Sequence, residues 1–340
     1  MALKPSAIDL FSGCGGLTQG LKSAGYSVRC AVELDHKAVQ TYRLNHPTVP
    51  IIHADIRQVS SERILGEANL SLGELDLLAG CPPCQGFSSI RRRNRFEAAS
   101  DNRNDLIEDF SRLTLALFPK MVMLENVPAL VEYARFKAFV KTLKASGYDV
   151  KFGILDVADF GVAQRRKRLL LSANRMGTAV IAPPQSIRFT VRSAIGNLPE
   201  AGGSGDLLHD ALCNRSPRVL ALIAAIPKNG GSRSSLPATM QLNCHKKTSG
   251  FGDVYGRMRW DAPAPTITGG CGSPSKGRFL HPEENRGITL REASLLQGFP
   301  IDYRFDLGHG KDAISLMIGN ALPPPFIALQ ARAMAAGVQV

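Results

Sequence analysis

Short apolar runs recur along the first half of the chain, and segments with helical spacing of apolar positions lie between them. A short apolar run bounded by turn residues is typical of a buried strand. Strands are predicted at residues 6–11, 27–33, 49–55, 74–80, 120–127 and 167–173. Helices are predicted at 17–25, 35–45 and 105–118. This alternation predicts an α/β fold with a parallel, doubly wound sheet, which binds ligands at the carboxyl ends of its strands.

After Pro183-Pro184 the pattern changes. Residues 186–260 contain ten Lys or Arg against four Asp or Glu, nine glycines and no long periodic segment. Helical spacing returns at 289–299 and at 313–337, where Gly319-Asn320 and three prolines interrupt it. We therefore predict a large α/β domain built from residues 1–184 and 279–340, and a smaller, loop-rich, basic domain at 185–278.

Composition narrows the class of protein. The 340 residues are 44% hydrophobic, enough for a core, and contain no apolar run of the roughly 18 residues that span a membrane. The N-terminal residues lack a signal peptide, and seven cysteines without one favour a reducing cytosol. Lys and Arg number 41 against 29 Asp and Glu, a formal net charge of +12. Such an excess favours a nucleic-acid partner over the alternative of a merely basic enzyme.

A glycine-rich turn, "SGCGG", follows the first predicted strand and precedes the first predicted helix. Its glycines are Gly13, Gly15 and Gly16, and the next is Gly20, so Thr18 stands where a dinucleotide fingerprint needs its third glycine. Taken alone, the turn is as compatible with a structural loop as with a cofactor loop.

Two acidic residues sharpen the interpretation of this turn. Glu33 ends the second predicted strand, where a carboxylate can bind two ribose hydroxyls, and Asp55 ends the third, where a carboxylate can accept from an adenine amino group. Either residue alone could be a surface acid or a helix cap. Together with the glycine turn they favour an adenosine pocket, without indicating NAD.

The segment "GCPPCQGFS" places Cys81 and Cys84 three positions apart. Such a pair can form a redox disulfide, half of a zinc site, or neither. No Cys/His pair at ligand spacing completes a zinc site, and Pro82-Pro83 predicts an extended turn without a thioredoxin-like setting. We therefore expect neither function, with Cys81 as a packing thiol and no metal in the protein.

Three further features point to the same edge of the predicted sheet. Cys84 follows the fourth predicted strand, Glu125 ends the fifth, and "QRRKR" enters the sixth with Arg166 and Arg168. A thiol, a carboxylic acid and two arginines are thus expected beside the adenosine pocket, whereas the intervening Arg165 and Lys167 are expected at a solvated face or in a phosphate clamp.

The chain resembles the cytosine-5 DNA methyltransferases of the prokaryotic restriction-modification type. The motifs that carry this resemblance stand in the family's order and cover most of the chain: "IDLFSGCGGLTQGL", "GCPPCQGFS", "ENV", "QRRKR", "RMRWDAPAPTITGG" and "IGNALPPP". The resemblance implies a Rossmann-like S-adenosylmethionine methyltransferase domain and a target-recognition domain at 185–278. It also implies methyl transfer to carbon 5 of a flipped-out cytosine in a specific double-stranded DNA sequence, through a covalent bond between cysteine and carbon 6.

The resemblance also implies roles for individual residues. Cys84 matches the nucleophile, Glu125 the group that contacts ring nitrogen 3 and the exocyclic amine, and Arg166 and Arg168 the arginines that hold the cytosine oxygen and backbone. The implied cofactor-binding residues are Phe11, Gly13, Cys14, Gly15, Gly16, Glu33, Leu34, Asp55, Ile56, Pro83, Leu106 and Asn320. The implied DNA contacts are Ser88, Arg91, Arg92, Arg93 and Arg95. Asn320 further implies that the C-terminal helix folds back beside the first strand.

Two other functions remain as alternatives. A tRNA cytosine-5 methyltransferase usually carries a late Cys-Phe-Thr, which this sequence lacks; a non-catalytic DNA-binding homologue often loses the cysteine or the glutamate, and both are present. The glycine spacing argues against an NAD oxidoreductase. By the resemblance we expect a cytoplasmic, nucleoid-associated monomer without a membrane segment, with a cognate restriction endonuclease as a candidate partner.

Overall fold

The computed structural model describes residues 4–83, 106–237, 239–241 and 252–337. Within them a seven-stranded sheet has the order β3-β2-β1-β4-β5-β7-β6. Its strands are β1 Ser6–Leu10, β2 Ser27–Glu33, β3 Ile51–His53, β4 Leu77–Gly80, β5 Met121–Asn126, β6 Asp149–Asp156 and β7 Lys167–Asn174. The helices are α1 Gly16–Ser23, α2 His36–Asn45, α3 Ser61–Ala68, α4 Leu106–Leu117, α5 Ala134–Ala145, α6 Val191–Ile195, α7 Leu207–Asp210, α8 Pro217–Ala225, α9 Leu290–Leu296, α10 Lys311–Asn320 and α11 Pro324–Ala336. The predicted α/β class is confirmed.

The expectation of a purely parallel sheet is wrong at one strand. Neighbouring strands among β1 to β5 pair in parallel, but β7 pairs antiparallel with both β5 and β6. The connection between β6 and β7 spans only residues 157–166, and a parallel pair needs a crossover of a dozen or more residues. Strand β6 was not predicted because its residues are exposed or half-buried, so it contains no continuous apolar run.

The core between the sheet and its helices explains the apolar runs. Every residue of β1, β4 and β5 is buried, as expected for central strands covered on both faces. Helix α4 buries Phe110, Leu113 and Leu117, which are spaced at one helical face. Each such side chain contributes about 1.5–3 kcal/mol of hydrophobic stabilisation.

The last helix packs against the first one. Helices α1 and α11 are in contact, and Gly20 lies at their crossing. A Cβ atom at Gly20 would lie 2.6 Å from the Cβ of Ile327 and 2.7 Å from the carbonyl oxygen of Pro324. The absence of a side chain at Gly20 therefore permits the close approach of α11, and the C-terminal helix folds back towards the start of the sheet as predicted.

The chain divides into two compact units. The first unit contains residues 1–160, 167–185 and 322–340, and the second contains 161–166 and 186–321. This division differs from the predicted boundaries, which put 279–321 with the large domain. Segment 279–321 packs within the second unit, because Leu280 joins the cluster around Ile223 and α9 packs on α6 and α7.

In the described part of the chain, one stretch is long and apolar enough to cross a membrane by length and composition, Lys311–Ala336. It comprises two helices, α10 and α11, and 61% of its apolar window is buried inside the protein. A core helix of a soluble protein passes the same test.

Candidate functional site

The glycine-rich turn between β1 and α1 has an unusual backbone. Phe11, Gly13 and Gly15 have φ values of 63°, 55° and 100°, all in the left-handed region. For Phe11 this conformation costs on the order of 1 kcal/mol, and such strain is concentrated at functional sites. Among the described residues, a Cβ atom at Gly13 would meet nothing within 4 Å, so open space adjoins the turn in this part of the structure. The turn therefore presents backbone, rather than side chains, to a neighbouring ligand.

Thr18, which stands where a dinucleotide fingerprint needs glycine, has a structural partner. Its Oγ1 donates a 2.6 Å hydrogen bond to Oδ2 of the fully buried Asp9 and lies 2.9 Å from the hydroxyl of Tyr42. This network links β1, α1 and α2. It explains why the glycine spacing departs from the NAD pattern, because the side chain that replaces glycine fixes the first helix to the first strand.

Glu33 anchors the turn from the end of β2. Its Oε2 accepts a 2.8 Å hydrogen bond from the backbone N–H of Gly13, while its Oε1 accepts from the N–H groups of Leu34 and Asp35 at 2.9 and 2.8 Å. The carboxylate is half-buried. Because each carboxylate oxygen has two lone pairs, Oε2 keeps capacity for a ligand hydroxyl beside the turn.

Asp55 has two structural roles at the end of β3. Its side chain caps the short 3-10 helix Ile56–Gln58 through the N–H of Arg57, and its carboxylate forms an ion pair with the Arg57 guanidinium at 2.5 Å. The hydrogen bond from the Arg57 side chain lowers the pKa of Asp55. The alternative of a helix cap, considered from the sequence, is therefore confirmed for Asp55. The predicted adenine contact would have to use the same carboxylate that caps this helix and pairs with Arg57.

The remaining predicted cofactor residues differ in exposure. Leu34 is 60% exposed, which is unusual for leucine, and Phe11, Pro83 and Leu106 are half-buried. Cys14 and Ile56 are buried, and burial raises the pKa of the Cys14 thiol to about 12, so this thiol is not a nucleophile. The members of this set within the first unit are Phe11, Gly13, Cys14, Gly15, Gly16, Glu33, Leu34, Asp55, Ile56, Pro83 and Leu106. Asn320 is exposed at the end of α10, in the second unit.

His46 supports the glycine turn and was not singled out from the sequence. Its Nε2 lies 3.2 Å from the carbonyl oxygen of Gly15, and its Nδ1 lies 3.3 Å from Nζ of Lys22. Burial lowers the pKa of His46 to about 4, so the imidazole is neutral. A neutral ring with its proton on Nε2 donates to Gly15 and accepts from Lys22. An isolated histidine after a helix carries no local signal for this role.

Glu125 lies at the carboxyl end of β5 with only 3% of its surface exposed. Its Oε2 accepts a hydrogen bond from the Cys81 thiol at 2.7 Å. Nε of Arg168 lies 2.9 Å from its Oε1, at an angle that makes an ion pair rather than a hydrogen bond. Arg168 and Glu125 therefore meet as predicted, but the description of Cys81 as a packing thiol is wrong, because its Sγ contacts a carboxylate.

Asn126 fixes the segment that follows β4. Its Nδ2 donates a 2.8 Å hydrogen bond to the carbonyl oxygen of Pro82, and its Oδ1 accepts from the N–H of Val127. The backbone N–H of Cys81 also donates to the carbonyl oxygen of Leu10. The "ENV" motif thus joins the ends of β4 and β5 through two adjacent side chains.

The "QRRKR" segment passes from the second unit into the first. Within the second unit, Nη1 of the buried Arg166 donates to the carbonyl oxygens of Ile267 and Gly319 at 3.0 and 2.8 Å. Its predicted contact with cytosine stays a prediction. Arg165 and Lys167 are exposed, as a solvated face or a phosphate clamp requires.

Several predicted residues lie outside the described ranges. These are the nucleophile Cys84 and the DNA-contacting set of Ser88, Arg91, Arg92, Arg93 and Arg95. Within the ranges that are described, no group of three or more His, Cys, Asp or Glu could hold a metal ion.

Sequence comparison identifies the relatives of this chain. Residues 6–336 match the model of the family described as C-5 cytosine-specific DNA methylase. The chain is 37% identical to the Type II methylase M.HgiDII of Herpetosiphon aurantiacus, over 94% of this chain and 91% of that protein. It is 34% identical to the Type II methyltransferase M1.HphI of Haemophilus parahaemolyticus, over 93% and 83% of the two chains.

Structural comparison gives the same fold. A protein encoded within an E. coli prophage superposes with a TM-score of 0.76 at 24% identity, over 98% of this chain and 99% of that one. The S. pombe Dnmt2 methyltransferase superposes with a TM-score of 0.63 at 17% identity, over 99% and 100% of the two chains. At these identities the likeness shows the fold alone, and this fold is the predicted S-adenosylmethionine-dependent methyltransferase fold.

Proposed function

The chain belongs to the C-5 cytosine-specific DNA methylase family and is a DNA (cytosine-5-)-methyltransferase, and on this basis we propose how it acts. It methylates carbon 5 of a cytosine that leaves the stack of a specific double-stranded DNA sequence, through a covalent bond from Cys84 to carbon 6. The observation that carries the proposal is the position of Glu125, buried at the carboxyl end of β5 with Arg168 against one oxygen.

The first unit fits S-adenosylmethionine. Open space adjoins Gly13, the Glu33 carboxylate is held beside it by three backbone N–H groups, and Leu34 exposes an apolar side chain next to that carboxylate. A ribose and an adenine ring require this combination of an oriented acid and an apolar surface. When bound, the cofactor supplies an electrophilic methyl group.

The chain's own residues activate the base. The thiolate of Cys84 adds to carbon 6 and makes carbon 5 nucleophilic, and Glu125 contacts ring nitrogen 3 and the exocyclic amine. Arg168 holds Glu125 and offsets negative charge near the carbonyl oxygen of the cytosine. After methylation, carbon 5 loses its proton to water and the bond between carbon 6 and the Cys84 sulfur breaks. This elimination releases the thiolate and restores the aromatic ring.

DNA recognition is assigned to the basic segment 185–278. Contacts with the flipped nucleotide and its flanking phosphates are proposed for Ser88, Arg91, Arg92, Arg93 and Arg95, since arginines can form bidentate phosphate contacts. A restriction endonuclease partner and a cytoplasmic, nucleoid-associated location fit the two Type II relatives. Exchanging 185–278 for another family member's segment should change the methylated sequence while the product stays 5-methylcytosine.

The mechanism is tested with a trapped adduct. Bisulfite sequencing of DNA from cells that express the protein gives the target, and duplexes with 5-fluorocytosine at that target should then form a covalent adduct. Cys84→Ala should form none and should lose turnover by more than the roughly 10²–10⁴-fold of a lost general acid. The control Cys30→Ala, a buried thiol in β2, should still form the adduct. Adduct with Cys84→Ala would refute the mechanism.

Two binding and transfer experiments complete the test. Labelled methyl groups should enter DNA and not tRNA when both are offered side by side, and transfer to tRNA alone would favour the tRNA alternative. Calorimetry of Glu33→Ala should show S-adenosylmethionine affinity reduced by about tenfold or more with the DNA target unchanged, because a charged hydrogen-bond acceptor is lost. Unaltered affinity would mean that Glu33 only shapes the turn.

A further inference from the structure

We propose that Cys81 is a positioning residue, which orients the Glu125 carboxyl for its contact with the cytosine ring. This inference rests on the proposed function and adds a residue to it. Cys81 directly follows the last residue of β4 and is followed by Pro82-Pro83, so it precedes the segment that carries the nucleophile.

The two oxygens of Glu125 are held from two different strands. Cys81, just past the end of β4, donates through Sγ to Oε2 at 2.7 Å, and Arg168, on β7, places Nε 2.9 Å from Oε1. Rotation of a terminal carboxylate is otherwise broad, since its last torsion has no sharp staggered minima. One contact on each oxygen therefore fixes the plane of the carboxylate, which a single contact would leave free to turn.

Cys81 is itself held rigidly. Its N–H donates to the carbonyl oxygen of Leu10, and the next residue, Pro82, is fixed by the 2.8 Å hydrogen bond from Asn126. The proline pair restricts the backbone that follows. Because this backbone is fixed, the Cys81 thiol donates to Glu125 from a position that the end of β4 determines.

A thiol suits this position better than a hydroxyl. Sulfur is a weak donor and a weak acceptor, so it orients Oε2 without competing strongly with a base that must hydrogen-bond the same carboxyl. Its volume also fills the half-buried space beside a carboxyl that is 3% exposed. A hydroxyl retains the donor but binds more strongly, and a methyl group retains neither donor nor volume.

Cys30 provides a matched control. It is a buried thiol of β2 whose Sγ, within the part of the chain that the structure describes, donates a 3.6 Å hydrogen bond to the carbonyl oxygen of the adjacent Ala31. Substitution of Cys30 therefore removes the same atoms from the same unit without touching a carboxylate.

The first experiment separates positioning from packing by kinetics. On the target DNA, Cys81→Ala should lower kcat by on the order of 10- to 100-fold, because small misplacement of a catalytic group is costly, while KM for DNA and for S-adenosylmethionine changes less than about twofold. Cys81→Ser should recover most of the lost kcat, and Cys30→Ala should leave kcat unchanged. Equal kcat values for Cys81→Ala and Cys30→Ala would overturn the proposal, as would a Cys81→Ser variant no better than Cys81→Ala.

The second experiment does not depend on activity. The infrared S–H stretch of Cys81, identified by its loss in Cys81→Ser, should move to higher wavenumber in Glu125→Gln, because a neutral amide is a weaker acceptor than a carboxylate. The Cys30 band should not move. An unshifted Cys81 band would refute the hydrogen bond between Cys81 and Glu125. A wild-type protein that methylates no DNA would instead refute the proposed function, and with it the catalytic role of Cys81.

Discussion

Thr18 Oγ1 and Asp9 Oδ2 form a 2.6 Å hydrogen bond inside the protein, between the first helix and the first strand. Asp9 is fully buried, and its other oxygen, Oδ1, has no hydrogen-bond partner among the described residues. A buried carboxyl with one donor is stable mainly in its neutral form. The glycine turn is thus adjacent to a carboxyl that binds a proton under physiological conditions.

This arrangement predicts a pH-dependent stability. Burial raises the pKa of Asp9 to about 8, from its ordinary value of 3.8. Between about pH 4 and about pH 8 the folded state therefore holds a proton on Asp9, whereas the unfolded state does not. The contribution of Asp9 to stability is complete below this pH range and is lost as pH rises through it. Asp9→Asn should flatten the free energy of unfolding across this window, measured by urea unfolding at several pH values. If the free energy of unfolding changed equally with pH in the variant and in the wild type, the raised pKa of Asp9 would be contradicted.

The contact between His46 and Gly15 predicts an effect on cofactor binding. His46→Ala removes the donor to the Gly15 carbonyl oxygen and leaves that turn without its support from α2. We expect S-adenosylmethionine affinity to fall by roughly tenfold, which corresponds to about 1.4 kcal/mol, in calorimetry. His36→Ala, at the exposed first residue of the helix that His46 follows, should bind normally. Equal affinities for the two variants would show that His46 only fills space.

Gly319 is expected to tolerate no side chain. A Cβ atom there would lie 2.1 Å from the backbone nitrogen of Gly269, within the second unit. Because backbone atoms must move, Gly319→Ala should destabilise the protein by more than about 1–3 kcal/mol, visible as a lowered Tm. Gly66→Ala is the matched control: a Cβ atom there, in α3, would have no described residue within 4 Å, so alanine should stabilise that helix by about 0.5–1 kcal/mol. A neutral Gly319→Ala would refute the close approach.

Arg257 is predicted to hold the second unit together. Its buried guanidinium donates to the carbonyl oxygens of Ile223 and Ile226, in the last turn and at the cap of α8, and to that of His281. Burial lowers the pKa of Arg257, and the helix carboxyl terminus compensates part of this cost. Arg257→Met should leave these carbonyl groups unsatisfied and destabilise the unit by about 3 kcal/mol or more. Limited proteolysis should then cut within 186–321 first; cleavage like that of wild type would count against this role.

The local patterns of the sequence determined much of this protein. The buried runs predicted β1, β2 and β5 to within one residue at each end, because a strand covered on both faces must be apolar throughout. The predicted β4 began three residues too early. Glu33 and Asp55 were predicted as cofactor-binding acids from their positions at the ends of such apolar runs. The family could be recognised because its motifs are short and contiguous, so each is complete within one stretch of sequence.

Only the tertiary structure decided which distant groups meet. Cys81 and Glu125 are 44 residues apart, and Arg166 contacts carbonyl groups 101 and 153 residues away. Nothing near Cys81 in the sequence distinguishes a packing thiol from one that holds a carboxylate. Hydrophobic spacing reports which face of an element is buried, whereas the partner of a polar atom depends on how strands align and helices cross, and that is set by packing of the whole chain.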